Sequence, residues 1–451
     1  MLFRLFSLSL TAMAMGPALA GNPQGCLEGP VDHNIDYFPD KVKPATSKLW
    51  DVTYHKTYKI VRNLDDNSQY LLYQCGTDPP TGIPNVNLTL SIPLQNGIGL
   101  STTTHLSYFE LLGLRDEIKA YFGDNQWISS PCMNDRFVSG ETFHVRYPDE
   151  EATMSLLFDA VDEDIVLFHN PGFNANVSNR VSAAAYKERN NHGIGEWIKY
   201  FSVFFNLEAK ANEEFQGIYE RYECTKANSQ SILVDKPKPK VLVAEFSTFC
   251  GGWSVGSCPN FYCDHIRDCS SDILENDNVG SVVNPKCGSE RNYKSTKELV
   301  EFAKDADVWI YPGHGDYYWD LAYEEFGQDL DKMKAVQNKQ VYDTVLTALN
   351  TWYEHRLVEY DLVLEDMCNI VGATHELLPH QRGFLRNVFT EEVGDLGQCK
   401  DPSIGFELRA QECIALPVLL AAESSAYHPV WMSAVAVTIM TIVSLTTSFV
   451  Y

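Results

Sequence analysis

Along residues 195–222 (GEWIKYFSVFFNLEAKANEEFQGIYERY), apolar side chains recur at Trp197, Phe201, Phe204, Ala211, Phe215, Ile218 and Tyr222. This is a helical stripe that only Glu208 interrupts. Lys199, Asn206, Lys210, Glu213 and Arg221 populate the opposite face, and the run holds no proline. Read as one helix, roughly 28 residues make a rod of about 40 Å, as long as a small domain is wide. Such a rod predicts a spine between two lobes; an ordinary long amphipathic core helix is the alternative.

The segments on either side alternate in period. Thr57–Arg62, Tyr70–Gln74 and Leu88–Ile92 are β-branched or aromatic runs bounded by Asn, Gly or Pro, and predict strands. Ser101-Thr102-Thr103-Thr104 then offer N-caps to a helix over His105–Leu112, which Gly113 stops. After a short segment at Trp127–Ser130, Asp164–Phe168 predicts a buried strand ending at His169. Lys236-Pro237-Lys238-Pro239 reads as a stiff linker into a strand over Lys240–Phe246. A helix over Thr296–Lys304 leads to a strand over Ala306–Tyr311 and a turn at Pro312-Gly313. Leu330–Glu359 reads as mostly helical and Asp361–Leu364 as a last short strand. The expected organisation is α/β, two Rossmann-like lobes (residues 21–190 and 236–400) joined by a helix over 191–225.

Charge narrows the partners. The 451 residues carry 60 acidic and 35 basic side chains, a net −25, which argues against nucleic acid. Arg4, the apolar run Leu5–Met15 and Ala18-Leu19-Ala20 read as a secretory signal over residues 1–20. Twelve cysteines, five of them between Cys250 and Cys287, fit an oxidising compartment and a disulfide-pinned insertion over 250–287. Zinc knuckles are the competing reading, but Cys258, Cys263 and Cys269 lack the C-x2-C spacing. Asn87 and Asn176 begin glycosylation sequons. Residues 401–429 read as a stalk, and 430–451 as a charge-free run of bilayer length with nothing basic after it. A cleaved lipid-anchor signal, with Ser424, Ser425 and Ala426 as the attachment region, and a spanning tail both fit. Either places the folded part outside the membrane, at the cell surface or on an endomembrane, tethered at its C-terminus.

In this order, SIPLQNGIGLSTTTHLSYFELLGLRDEIKAY, DEDIVLF, EWIKYFSVFFNLEAKANEEF, KVLVAEF, GGW, ADVWIY and YDLVLED resemble the substrate-binding proteins of iron-siderophore and cobalamin ABC importers. The resemblance covers roughly Tyr37–Phe389. It implies a class III periplasmic-binding-protein-like fold, with ligand in a cleft between two α/β lobes bridged by one long helix. The chain departs from that family in lacking a lipid-modified cysteine after the signal, in the 250–287 insertion and in the hydrophobic tail.

Ligands of open α/β sheets gather beyond the carboxyl ends of strands, which singles out four places. Ser101, Thr102, Thr103 and His105 sit at a helix start, where amides and hydroxyls hold anionic oxygen; simple capping is the alternative. His169 ends a strand, as a ligand or a hydrogen-bonded loop residue. Trp253, in Gly251-Gly252-Trp253, offers an indole to a chelate or macrocycle, against a structural turn. His314, Asp316, Tyr317 and Tyr318 form the densest donor set; imidazole, carboxylate and phenol suit ferric iron, with His314, Asp316 and Tyr317 as the metal candidates.

Two motifs invite catalysis. Gly252-Trp253-Ser254-Val255-Gly256 matches the G-x-S-x-G elbow, yet Ser247–Cys250 part it from its strand and Pro259 spoils a following helix. In His375-Glu376-Leu377-Leu378-Pro379-His380 the second histidine stands one place too far for a zinc-protease helix, and a loop is expected. The favoured expectation is a binding protein without turnover or required cofactor. It would capture a ferric siderophore, another iron chelate, haem or cobalamin and pass it to an unknown uptake partner. A surface hydrolase using Ser254 and a ligand-free adhesion or receptor domain are the alternatives.

Overall fold

The structure is a computed structural model and describes residues 20–123, 125–145, 165–172, 178–248, 251–275, 282–283, 291–313, 318–402 and 405–420. The signal run, Asn176, Cys250, Cys287, His314–Tyr317 and the tail from 421 lie outside these residues. The chain divides into two compact units. Unit 1 holds residues up to Gly217, Asn350–Val358 and Asp395–Glu407; unit 2 holds Ile218–Leu349, Glu359–Gly394 and the rest from Leu408.

Unit 1 begins with a sheet of its own: β1 (Trp50–Tyr54), β2 (Tyr58–Asn63), β3 (Ser68–Gln74) and β4 (Leu88–Ile92), adjacent in that order. The β1–β2 and β2–β3 pairs are antiparallel, and β3–β4 is parallel. Strands alternating with helices were expected here. The β2–β3 turn is instead a tight one through Asp65-Asp66-Asn67, with Asn67 left-handed at φ 60°, and leaves no length for a crossover helix.

Alternation starts afterwards, with β5 (Ile98–Leu100), β6 (Ile118–Phe122), β7 (Phe143–Val145), β8 (Val166–His169) and β9 (Arg180–Ser182). These five are all parallel, in the spatial order β7-β6-β5-β8-β9. Their cover is aromatic. Phe109 lies 4.9 Å from Phe201 and 5.0 Å from Phe168 between ring centroids, and Phe168 lies 5.2 Å from Phe204. All four rings are wholly buried.

The expected single spine is two helices, Trp197–Ser202 and Glu208–Ile232. The break is at Asn206, which adopts φ 57°. Its amide donates to the Pro23 carbonyl (2.6 Å) and Gln74 Oε1 (2.8 Å), while its Oδ1 accepts from Lys59 Nζ (2.7 Å). Lys59 and Gln74 on the first sheet, with Pro23 ahead of it, hold the left-handed turn that a continuous helix would forbid. The second helix, 25 residues and about 38 Å long, contains the point at which the two units divide.

In unit 2, β10 (Lys240–Ser247) is central. Its start pairs in parallel with β12 (Asp272–Ile273), and its end turns back into the antiparallel β11 (Gly252–Val255). On β10's other side lie β15 (Val308–Ile310) and β16 (Val341–Asp343), both parallel, then the antiparallel β17 (Arg386–Asn387). Antiparallel β14 (Arg291–Tyr293) and β13 (Val282–Val283) extend the sheet beyond β11.

Two readings change here. Leu330–Glu359 is mostly not helical: a helical turn at Lys334–Gln337 stops at Lys339, left-handed at φ 55°, which turns the chain into β16. Asp361–Leu364 is not a strand but the start of the helix Tyr360–Ile370. Its buried positions run on through Met367 and Ile370, and an apolar run as short as Leu362–Leu364 fits a buried helix as well as a strand.

Ten described cysteines pair as disulfides, which removes the zinc reading for them. Cys26–Cys75 and Cys132–Cys399 lie in unit 1; Cys224–Cys413, Cys258–Cys263 and Cys269–Cys368 lie in unit 2. The start of the expected stalk is folded: Arg409 pairs with the buried Glu359 at 2.6 Å, and Leu416 is buried. Among the described residues no helix is long and apolar enough to cross a membrane.

Candidate functional site

In unit 1 the chain lays down β5, moves outward to β6 and β7, and returns on the other side of β5 with β8 and β9. The order therefore reverses between β5 and β8, and it is beyond the carboxyl ends of two such strands that open parallel sheets hold ligands. Ser101 follows β5, and its amide donates to the Phe168 carbonyl of β8 at 3.1 Å. Ser101 and Thr102 are half-buried. Thr102 Oγ1 accepts from the Thr104 amide (3.3 Å) as the cap of a single turn, Thr103–His105, so this hydroxyl serves the fold. Thr103 is buried in that turn.

His169 ends β8, with Nδ1 2.8 Å from the Asn170 carbonyl. Burial holds its pKa below the usual histidine range, against the Asn170 hydrogen bond. His105 is wholly buried beside Phe201, 5.3 Å between ring centroids. Burial, aided by His169, pushes its pKa down to about 3, while the Ala183 backbone and the Asn170 side chain pull weakly the other way. Both imidazoles are therefore neutral near pH 7, and only as neutral donors could they meet a ligand. His105 is enclosed by the core, whereas Ser101, Thr102 and His169 stand at the strand ends.

Unit 2 repeats the geometry. Its parallel strands lie in the order β12-β10-β15-β16, and the chain runs from β10 to β12 before crossing to β15 and β16. The reversal lies between β10 and β15, and β15 leads directly into Tyr311-Pro312-Gly313. Of the donor set that follows, His314, Asp316 and Tyr317 lie outside the described residues. Tyr318 is half-buried and immediately precedes the helix Trp319–Leu330.

Trp253, expected at a ligand surface, is instead fully buried. Its Nε1 donates to Thr296 Oγ1 (3.0 Å) and its ring lies 5.7 Å from that of Trp309. The glycines before it explain the misreading. Gly251 (φ 73°) turns the chain back, and Gly252 (φ 154°) lets β11 start against the Tyr293 carbonyl, which a Cβ would meet at 2.4 Å. Ser254 lies within β11, paired with Glu245 and Asn292, and is buried. It stands on no strand-to-helix elbow, which overturns the hydrolase reading of this motif.

Sequence reasoning missed a cavity of about 510 Å³ in unit 2, lined by Thr225, Asn228, Leu362, Leu377, His380 and Arg409 among others. His380 belongs to the HELLPH run. Its Nε2 lies 2.6 Å from Asp366 Oδ1 and its Nδ1 3.2 Å from Glu365. Burial opposes the charged ring, but the two carboxylates prevail and push its pKa up to about 9. The run is thus a loop closed by an imidazolium-carboxylate contact. Among the described residues no group of three or more His, Cys, Asp or Glu is arranged to hold a metal ion.

No protein-family profile matches the chain. An uncharacterized lipoprotein of Methanocaldococcus jannaschii is 28% identical over 195 residues, 42% of this chain. The chain spans 42% of that relative's length. Among solved structures it is similar to a periplasmic haem-binding protein of Pseudomonas aeruginosa: TM-score 0.47, 10% identity, 66% of this chain and 99% of the other. It is also similar to a siderophore-binding protein bound to two acinetobactin molecules and ferric iron: TM-score 0.46, 13% identity, 62% and 94% covered. A third is the periplasmic component of a Fep/Fec-like ferrichrome ABC transporter of Bacillus subtilis: TM-score 0.41, 14% identity, 65% and 97% covered.

Proposed function

We propose that this chain is a ligand-capturing protein of the secretory pathway that holds an iron chelate, a siderophore or haem at the carboxyl ends of its parallel strands. The observation that supports the reading best is the reversal of strand order in each unit at a place where the chain sets oxygen and imidazole donors. In unit 1 these are Ser101 and His169; in unit 2 the sequence after β15 supplies Tyr318 and, outside the described residues, His314, Asp316 and Tyr317. Neutral imidazole, hydroxyl and phenol groups suit a complexed hard metal and an aromatic ligand better than a free phosphate would be suited. Glycans on Asn87 and Asn176, a removed signal over 1–20 and a tether supplied by 430–451 complete the reading. It places the folded part at the cell surface, with the uptake partner unnamed.

The test is metal analysis and a visible spectrum of the purified full chain, then thermal melting with ferric siderophores, haem, cobalamin and divalent metals. One ligand class should raise the melting temperature in proportion to the logarithm of its concentration. No shift with any of them would leave a receptor or adhesion domain as the better reading.

A further inference from the structure

We propose that the end of unit 2 formed by residues 232–240 and 414–420 rests on a phospholipid surface. The inference deepens the tethered reading above and relies on residues 430–451 lying in or against a bilayer. It starts from how the last described segment runs. Cys413 is bonded to Cys224 on the helix Glu208–Ile232. One turn further along that helix, the buried Asn228 donates to the Ile414 carbonyl (3.0 Å) and accepts from the Leu416 amide (2.7 Å). The segment therefore travels in the helix's own direction, anchored by the disulfide, the Asn228 clamp and the buried Leu416 side chain. A helical turn follows, with the Val418 amide donating to the Ala415 carbonyl at 2.9 Å. Ile414 lines one cavity with Ile232, the last residue of that helix, so the segment lies at this end of unit 2.

What gathers there is unusual for this chain. Val234 is 74% exposed, Val418 61% and Leu420 45%. Single exposed apolar residues mean little, but three at one end of one unit form the beginning of a patch. Beside them, residues 234–240 carry three lysines, Lys236, Lys238 and Lys240, against Asp235; Asp272 lies 3.9 Å from Lys238, and Asp307 accepts from the Lys240 amide while pairing with a fourth lysine, Lys334. All three lysines are exposed. Pro237 and Pro239 keep this stretch extended. The sequence beyond 420 leads within ten residues into the charge-free run 430–451. Exposed aliphatic side chains flanked by lysines, next to the exit toward an apolar run, match an interface of headgroup phosphates over acyl chains. A protein partner for the patch is an outcome of the test.

The test uses the full chain in phosphatidylcholine vesicles, with and without phosphatidylserine. A coumarin amino acid replaces Val234, Val418 or, as reference, the exposed Val138 of unit 1. Brominated phosphatidylcholine should quench the coumarin at 234 and 418 several-fold more than at 138. The double change Lys236→Glu/Lys238→Glu should lower quenching at 234 several-fold while the chain still floats with the vesicles. Equal quenching at 234 and 138 in a floating chain overturns the proposal and favours a protein partner. If the chain does not float, the tether reading fails by itself. The patch is then judged by sedimentation with phosphatidylserine vesicles: salt-sensitive binding lost in Val234→Glu/Val418→Glu supports it, and no binding overturns it.

Discussion

The ammonium of Lys59, on β2, is ion-paired with the carboxylate of Glu208, at the start of the long helix, and neither side chain has any exposure. Tyr54 Oη donates to the same carboxylate, and Asn22 Nδ2 donates to its second oxygen at 2.7 Å. Lys59 also donates to the Val203 carbonyl at 2.9 Å. Removing one partner leaves a buried charge uncompensated. Glu208→Gln or Lys59→Met should each cost about 3–5 kcal/mol in urea unfolding. Lys59→Met combined with Glu208→Leu should cost less than the sum of the two, yet not return to the original stability, because Asn22, Asn206 and Tyr54 lose partners too.

This pair also explains what the sequence could and could not reveal. Glu208 stands out as the one break in the apolar stripe, but which strand supplies its cation is set by a contact 149 residues away. Asn206, which ends the first helix, looks on a helical wheel like any polar surface residue; its left-handed turn depends on Pro23, Gln74 and Lys59. Periodicity did carry β4, the strand around Val243 and the helix over Thr296–Ala303, where local pattern and burial agree. It failed at Leu362–Leu364 and at Trp253, where a short apolar run or a glycine pair is consistent with more than one fold. The strand ends proposed here as the ligand site were legible because they need only the strands; the unit-2 cavity, assembled from four separate segments, was not.

Binding and folding should separate between His169 and Trp253. His169→Ala, at the strand-order reversal of unit 1, should weaken capture of the chelate found by thermal melting by tenfold or more, beyond what the stability lost with this buried ring accounts for. Trp253→Ala removes a fully buried indole and should cost about 3–5 kcal/mol of stability. Any fall in its affinity should follow from the unfolded fraction. Titration calorimetry beside urea unfolding reads both.

His380 makes unit 2 sensitive to alkali. Its pKa of about 9 lies above the ordinary value, so the protonated ring favours the folded state. The contribution is complete below about pH 6.5 and disappears as the pH climbs through about 9, a loss on the order of 3 kcal/mol for a side chain that is nearly buried. His380→Gln should flatten the unfolding free energy between those limits. Proteolysis at the 371–383 loop should rise with pH in the original chain and be insensitive to pH in the variant.

His105 has the opposite sign. Burial lowers its pKa to about 3, so the unfolded chain binds the proton that the folded chain refuses. Its contribution stands above about pH 6.5 and is lost as the pH falls toward 3, which destabilises unit 1 in acid. By hydrogen-bond geometry neither ring nitrogen of His105 is paired among the described residues, and the pull of the Ala183 backbone and the Asn170 side chain on the ring is too weak to offset its burial. An apolar replacement therefore gives up little and removes a desolvated polar group. His105→Leu should leave stability at pH 7 unchanged or raise it by about 1 kcal/mol, and should remove part of the acid limb between pH 6.5 and 4. Ligand affinity decides the residue's role. If His105 is only a core histidine under Phe201, affinity in His105→Leu stays within a factor of two. A tenfold loss at constant stability would instead make it a ligand donor that becomes accessible when the crevice is filled.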